Sequence, residues 1–480
     1  MCLRCARYKV MTTKVEELIM LSPLYKSRQT FLLTLLIVVL VLALPMSTTF
    51  GAQDEPNMNT DVSGEITLMG FGLGDEIATV RADYAQTQIP NVTVNFTEGG
   101  FDAQQFLTAY ASGNPPDIVY IDRQTLGTYA ANGTFMPLGD CITNQGIDMS
   151  QYREVAVNQV TIDGEIYGIP EFFNNLMLII NTAAVEEAGL TLDDISTTDW
   201  DRLAEIDQAL VRGSGLELSR IGFDPKLPEF LPLWVAANGG AMLSDDGRTA
   251  MLNSPEVVEA LTYAVSLLEP EGGWADFKAF RDTWDFFGGE NQVVADQVGF
   301  WPMEQWYMNV LAGVSPDAPV AFKAFTSKDG TPLSYATGSA WAIPVGSGNP
   351  EAACAFAKAI TSVDAWVAAA EERATLRSES GAINTGVYTA NRLADEAIFE
   401  GGIVGPIENE AFQNGVDVIL ELQDNAFAMP ANPAGAEFQQ AWQDAVNRVL
   451  NGEQSVEDAL NQAQEEAQAA LDEAWASQSS

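Results

Sequence analysis

Histidine is absent from all 480 residues. Its absence removes Ser-His-Asp triads, zinc sites built on imidazole and imidazole acid–base chemistry together. No G-x-x-x-x-G-K-[ST], G-x-S-x-G or G-x-G-x-x-G pattern occurs either, so the common nucleotide-binding and hydrolase signatures are missing. Basic residues are scarce: 23 Lys plus Arg face 66 Asp plus Glu, a formal net charge of −43. So acidic a surface repels nucleic acid and anionic membrane, and neither is expected as a partner. The charge itself reads as solubility in a saline or acidic exterior rather than as a cation site. Cysteine is rare as well. Cys2 and Cys5 form a C-x-x-C with no second pair and precede an export signal, which leaves Cys141 and Cys354. For these two, a bridge and a pair of separate thiols both fit the sequence.

What is present begins with an apolar run, FLLTLLIVVLVLALPM at 31–46, after Lys26 and Arg28 and before the small residues Thr49, Gly51 and Ala52. Positive flank, apolar stretch and small-residue exit are the parts of a secretory signal. The run is short of the ~20 residues a spanning helix needs, although an uncleaved anchor shares the pattern. Cleavage is expected after Gly51 or Ala52, Met20 would begin a signal of ordinary length, and no lipid-attachment cysteine follows the run. Residues 1–52 are thus read as N-terminal extension and signal, and 53–63 (QDEPNMNTDVS) as a flexible leader. The first 52 residues hold six of the 23 bases and two of the 66 acids, which leaves the mature chain 64 acids against 17 bases. With 47% hydrophobic residues, it can build one large two-lobed unit or two to three domains.

EITLMGF (65–71), VTVNF (92–96) and PPDIVYID (115–122) alternate or run apolar like strands, with helical spacing at 75–88 and 101–112 between them. Strands and helices alternating at this interval predict an α/β fold with a parallel sheet. Ligands of such sheets sit at the strands' carboxyl ends, here Phe71–Asp75 and Asp122–Gln124. Further on the chain is mainly helical. Thr198 or Asp199 caps a helix from Trp200, and Ser254-Pro255 and Asn349-Pro350 open two more with proline at the first helical position. The tail, 436–475, is a helical stretch broken at Asn451-Gly452.

Five segments carry a resemblance. They are GEIYGIPEFFNNLMLIINTAAVEEAGL (164–190), TTDWDRLAEI (197–206), LWVAANGGAMLSDDGRTAMLNSPEVVEAL (233–261), VVADQVGFWPMEQW (293–306) and GSAWAIPVGSGNPEAACAFAKAITS (338–362). In this order, from Gly64 to Ala474, the chain resembles the family 1 extracellular solute-binding proteins of ABC importers, of the sugar type. It departs from their pattern at Thr182, where a basic residue is usual, and at Trp301-Pro302, where Gly-Pro-Trp is usual. The resemblance implies two α/β lobes joined by a hinge, with the ligand cleft between them. The first lobe would comprise about 64–170 plus 333–378, and the second about 171–332 plus 379–476. It implies an exported, periplasmic or cell-surface monomer that captures a mono- or oligosaccharide and delivers it to membrane permease subunits, with no catalysis, cofactor or metal.

Sugar recognition needs flat apolar faces for ring C–H surfaces and planar polar groups for hydroxyls. Trp301 and Trp341 match family positions bordering the ligand and are expected as stacking platforms. Trp234 precedes the turn at Asn238, which makes both candidates, whereas Trp200 is expected to fix its helix in the core. Phe71, Asp75, Asp122, Arg123, Glu171, Phe172, Asn174, Glu304 and Arg377 complete the expected ligand-binding set. Asp245-Asp246-Gly247 is read as a hairpin turn rather than a metal site. A secreted carbohydrate-active enzyme with paired acids, and a peptide- or polyamine-binding protein of the same fold, are the alternatives.

Overall fold

Ile66 and Leu68 alternate with Glu65 and Thr67, and this period of two buries the first pair on one face of strand β1 (Gly64–Met69) while the second pair stays exposed on the other. The computed structural model describes residues 61–97 and 99–478, all within one compact unit. The apolar run 31–46 and its cleavage site lie outside the described residues. β1 pairs in parallel with β2 (Val92–Thr97) and β3 (Ile118–Asp122), and helices α1 (Glu76–Gln88) and α2 (Ala103–Ala111) provide the crossovers. Asp75 and Asp102 cap these helices, accepting from the backbone N–H of Ala78 and Gln105.

Within this first sheet, parallel pairing is confined to these three strands. Two further strands extend the sheet antiparallel, giving the order β2-β1-β3-β9-β4, with β4 at Ile169–Pro170 and β9 at Ser339–Ala342. A second sheet has the order β8-β5-β7-β6, built from β5 (Leu176–Asn181), β6 (Ile221–Phe223), β7 (Val298–Glu304) and β8 (Val320–Lys323). β5 is buried along its whole length, as an unbroken apolar run between two layers must be. Among the flanking helices, α4 (Trp200–Leu210) is capped by Asp199 rather than Thr198, and Trp200 stacks on Tyr263 in the core.

The chain passes between the sheets at 171–175 and returns at 334–338. These segments lie side by side: Asn174 N–H donates to Thr337 O (3.0 Å) and Thr337 N–H to Asn174 O (2.9 Å). A third segment joins them where Ala390 N–H donates to Glu171 O at 2.6 Å. Gly338 sits at φ +141, and a Cβ there would fall 2.3 Å from Phe172 O, so only glycine fits this crossing.

Two candidates for ligand binding are structural parts of the crossing instead. Arg123 is fully enclosed in α3 (Arg123–Ala131) and donates to Phe172 O (2.6 Å), Thr337 O (2.7 Å), Ser339 O (3.2 Å) and Gln159 Oε1 (2.9 Å). Burial pulls its pKa down to about 10. Glu171 is fully buried against Arg81 at 2.5 Å, and the Arg81 guanidinium lies 3.7 Å from the Trp366 ring centre. A charge deep in the interior is tolerable only when paired in this way.

Cys141 and Cys354 form a disulfide, with Cα atoms 5.8 Å apart. Cys354, on α8 (Pro350–Ile360), and Cys141 belong to the core beneath the first sheet, so one lobe holds both. The tail forms α10 (Gly435–Leu450) and α11 (Val456–Gln478), which pack on each other, and α10 packs on α3. Asp246 accepts from Arg248 N–H beside the Leu243–Ala250 bridge, the hairpin turn expected there.

Candidate functional site

At the carboxyl end of β1 the chain turns through Asp75 into α1, and at the carboxyl end of β7 it turns through Gln305 into α7 (Trp306–Val314). A cavity of about 430 Å³ opens between these two helix starts. Asp75, Glu76, Tyr120 and Ser339 wall it from the first sheet, and Asn174, Gln305, Trp306, Asn309 and Tyr388 from the second. Arg373 and Arg377 of α9 (Val363–Ser380) line it as well.

Most of these polar groups are held by neighbours before any ligand arrives. Arg373 Nε donates to Glu76 Oε1 at 2.6 Å, and its Nη2 lies 3.6 Å from Asp75 Oδ2. Burial pushes the Glu76 pKa up, but the charge and hydrogen bond of Arg373 outweigh it, and the carboxyl titrates below its ordinary value. Gln305 accepts from Asn175 N–H (2.8 Å) and donates to Phe173 O (3.1 Å), and Asn309 Nδ2 donates to Gly386 O (3.2 Å). The half-buried Trp306 donates its indole N–H to Glu304 Oε2 at 2.6 Å, while Glu304 Oε1 accepts from Thr337 Oγ1 at 2.9 Å. The Trp306 ring is therefore fixed from its edge, with Phe287 nearly parallel to it at 6.2 Å. A fixed aromatic face amid amides, a phenol and a guanidinium can stack on an apolar ring surface and bond the hydroxyls around it.

Of the thirteen residues expected at the ligand, Asp75, Phe172, Asn174 and Arg377 line the cavity. Glu304 stands behind Trp306, and Asp122 lies exposed at the end of β3, where it caps α3 through Gln124 N–H. The other seven lie elsewhere. Trp301 and Trp341 are completely enclosed, because strands β7 and β9 are covered on both faces, and neither can offer a stacking platform in this conformation. Phe71 packs on Trp341 at 5.1 Å, inside the first core. Trp234 is buried in the second, its indole N–H donating to Pro225 O. Asn238 is bound to Glu256 O and Lys328 on an exposed rim. Arg123 and Glu171 belong to the crossing described above. Trp306, Arg373 and Tyr388 are cavity residues missing from the expected set. Trp306 was detectable in principle: it follows the carboxyl end of a strand and opens a helix, the position where α/β sheets bind ligands.

The family model for bacterial extracellular solute-binding proteins matches residues 80–399. A lactose-binding protein of Rhizobium radiobacter is 26% identical over 208 residues, 42% of this chain and 48% of that protein, so the match spans about half of the relative. The solved structure of CpMnBP1 with mannobiose bound superposes with a TM-score of 0.68 at 20% identity, covering 84% of this chain and 99% of the other. An ABC transporter solute-binding protein of Thermotoga lettingae, bound with alpha-D-tagatose, gives a TM-score of 0.65 at 22% identity, covering 85% and 100%. These likenesses establish the shared two-lobed fold.

Proposed function

The chain belongs to the bacterial extracellular solute-binding proteins, and from that premise we propose that it captures a mono- or oligosaccharide in the cavity between its lobes and delivers it unaltered to an ABC-type permease. The observation that carries this reading is the pre-fixed Trp306 ring at a cavity walled by Asn174, Gln305, Asn309 and Tyr388. Holding these groups beforehand lowers the ordering cost of binding. The similar proteins named for lactose, mannobiose and tagatose support the ligand class.

The first lobe is assigned to about 64–170 plus 333–378 and the second to about 171–332 plus 379–476. The strands of each sheet fall within these limits, which supports the division. Ligand that touches both lobes favours the closed arrangement by its differential affinity, and the closed form is the one a permease would receive. The protein is exported, and its role is binding without catalysis. In support, the cavity acids are committed to structure: Asp75 caps α1 and Glu76 is held by Arg373. The test is a thermal-shift and calorimetric screen of mono- and oligosaccharides, peptides and polyamines, followed by mass spectrometry of the recovered ligand. Saturable binding of a sugar recovered unchanged is expected. A chemically altered sugar, or stabilisation by peptides or polyamines alone, would overturn the reading.

A further inference from the structure

Among the described residues, Arg377 stands out in the cavity wall as a cation left over. It lies four residues after Arg373 on α9, and this spacing places both guanidinium groups on one face of the helix. Arg373 is spoken for by Glu76 and Asp75. Arg377 makes no ion pair and no side-chain hydrogen bond among the described residues, and its Nε is buried without an acceptor. Burial, and then the charge of Arg373, lower its pKa more than the nearby charge of Glu76 raises it.

Its place is nonetheless built. Gly313 of α7 lies against it, and a Cβ there would fall close to Arg377 Nη1. The missing side chain leaves a notch in which the guanidinium rests. In a chain with 66 acids and 23 bases, an unclaimed arginine is not explained by a shortage of carboxylates. The acids of the lining are Asp75 and Glu76, and the bases are Arg373 and Arg377. Both acids are turned to Arg373, so the Arg377 guanidinium meets the cavity without a carboxylate bonded to it, while the four lining charges together sum to zero.

We propose that the ligand is an anionic saccharide whose single negative charge is received by Arg377, a hexuronate carboxylate being the best fit. The planar guanidinium fork matches a carboxylate in two parallel hydrogen bonds. This proposal rests on the saccharide-capture reading and narrows its ligand class.

The experiment is calorimetric titration of the whole protein with matched pairs: glucose and glucuronate, galactose and galacturonate, mannose and mannuronate, and their disaccharides. The 6-sulfates of the three hexoses form a separate arm. The expected result is a uronate bound about tenfold or more tightly than its neutral partner, as a charged hydrogen bond supplies. Arg377→Gln should collapse that ratio toward one, and Arg377→Lys, which keeps the charge but not the fork, should restore part of it. Equal affinity within every pair would overturn the proposal while leaving sugar capture standing, and so would a uronate preference that survives Arg377→Gln. A preference confined to the sulfates would overturn the carboxylate assignment. If no sugar of any kind binds, both the proposal and the capture reading fail. The wild-type ratios decide even if a variant folds poorly.

Discussion

The crossing between the sheets and the cavity beside it are both rich in charged and aromatic side chains, but they use them in opposite ways. At the crossing, Arg81 and Arg123 are wholly enclosed and their partners are the protein's own: Glu171 for one, backbone carbonyls and Gln159 for the other. At the cavity, Trp306 and Arg377 are only half-buried, and Arg377 has no ion pair or side-chain hydrogen bond among the described residues. Complete enclosure with partners inside the protein marks a residue that holds the lobes; a half-buried side chain on the cavity wall marks one that is open to a ligand. Arg123 and Arg377 both looked like ligand contacts in the sequence, and only their partners tell them apart.

The sharpest way to break this comparison is through the tryptophans. Trp341→Ala and Trp301→Ala should each cost about 3–5 kcal/mol of stability in denaturant unfolding, as large-to-small changes in a core do. A variant of either that keeps full stability and loses sugar would return that residue to the ligand. Next in size is Arg123→Met, which takes one donor from each of the carbonyls of Phe172, Thr337 and Ser339, the last two keeping a backbone N–H, and should cost about 2–4 kcal/mol. Unchanged stability would show that the crossing does not depend on it. Trp306→Ala should behave in the reverse sense, weakening sugar affinity by about 1–3 kcal/mol with a smaller effect on unfolding. Sugar titration and melting, run on the same sample, separate the two outcomes.

The smallest effect tests whether buried charge always comes paired. Asp207 and Glu271 are both fully enclosed in the second core, accepting from Phe223 N–H (2.7 Å) and Gly222 N–H (3.2 Å). Burial raises both pKa values, that of Glu271 to about 7, and for Asp207 the charge of Glu271 adds to the rise. Acids raised in the folded state give their full stability below the ordinary carboxylate range and lose it as pH climbs toward the folded value. Glu271→Gln should therefore change little near pH 4 and gain about 1–2 kcal/mol over the native protein by pH 8. Parallel stability curves across that interval would mean that burial does not raise the pKa of Glu271.

Much of the fold was legible because it rests on local periodicity. The alternation at Ile66 and Leu68, the acids capping α1 and α2, and the prolines opening α6 (Pro255–Ser266) and α8 all act within a few residues. The two antiparallel strands that complete the first sheet were not legible, since β9 reaches β3 across more than 200 residues of intervening chain. The site was legible only in part, in Asp75, Phe172, Asn174 and Arg377. Trp301 and Trp306 differ by five positions, yet one ends inside a sheet and the other at a helix start facing the cavity. What separates them is the covering of β7 on both faces, which the residues beside Trp301 do not announce.

The cysteine bridge has a consequence for the order in which the molecule is made. Its two sulfurs are 213 positions apart, and all four strands of the second sheet, from Leu176 to Lys323, lie between them. A chain emerging from its amino end presents Cys141 early, but the bond cannot close until Cys354 has emerged. By then the whole inserted sheet has emerged too, free to settle before the ring around it is sealed. Covalent closure thus comes late, and it ties off the first core around a second that has had the chance to form.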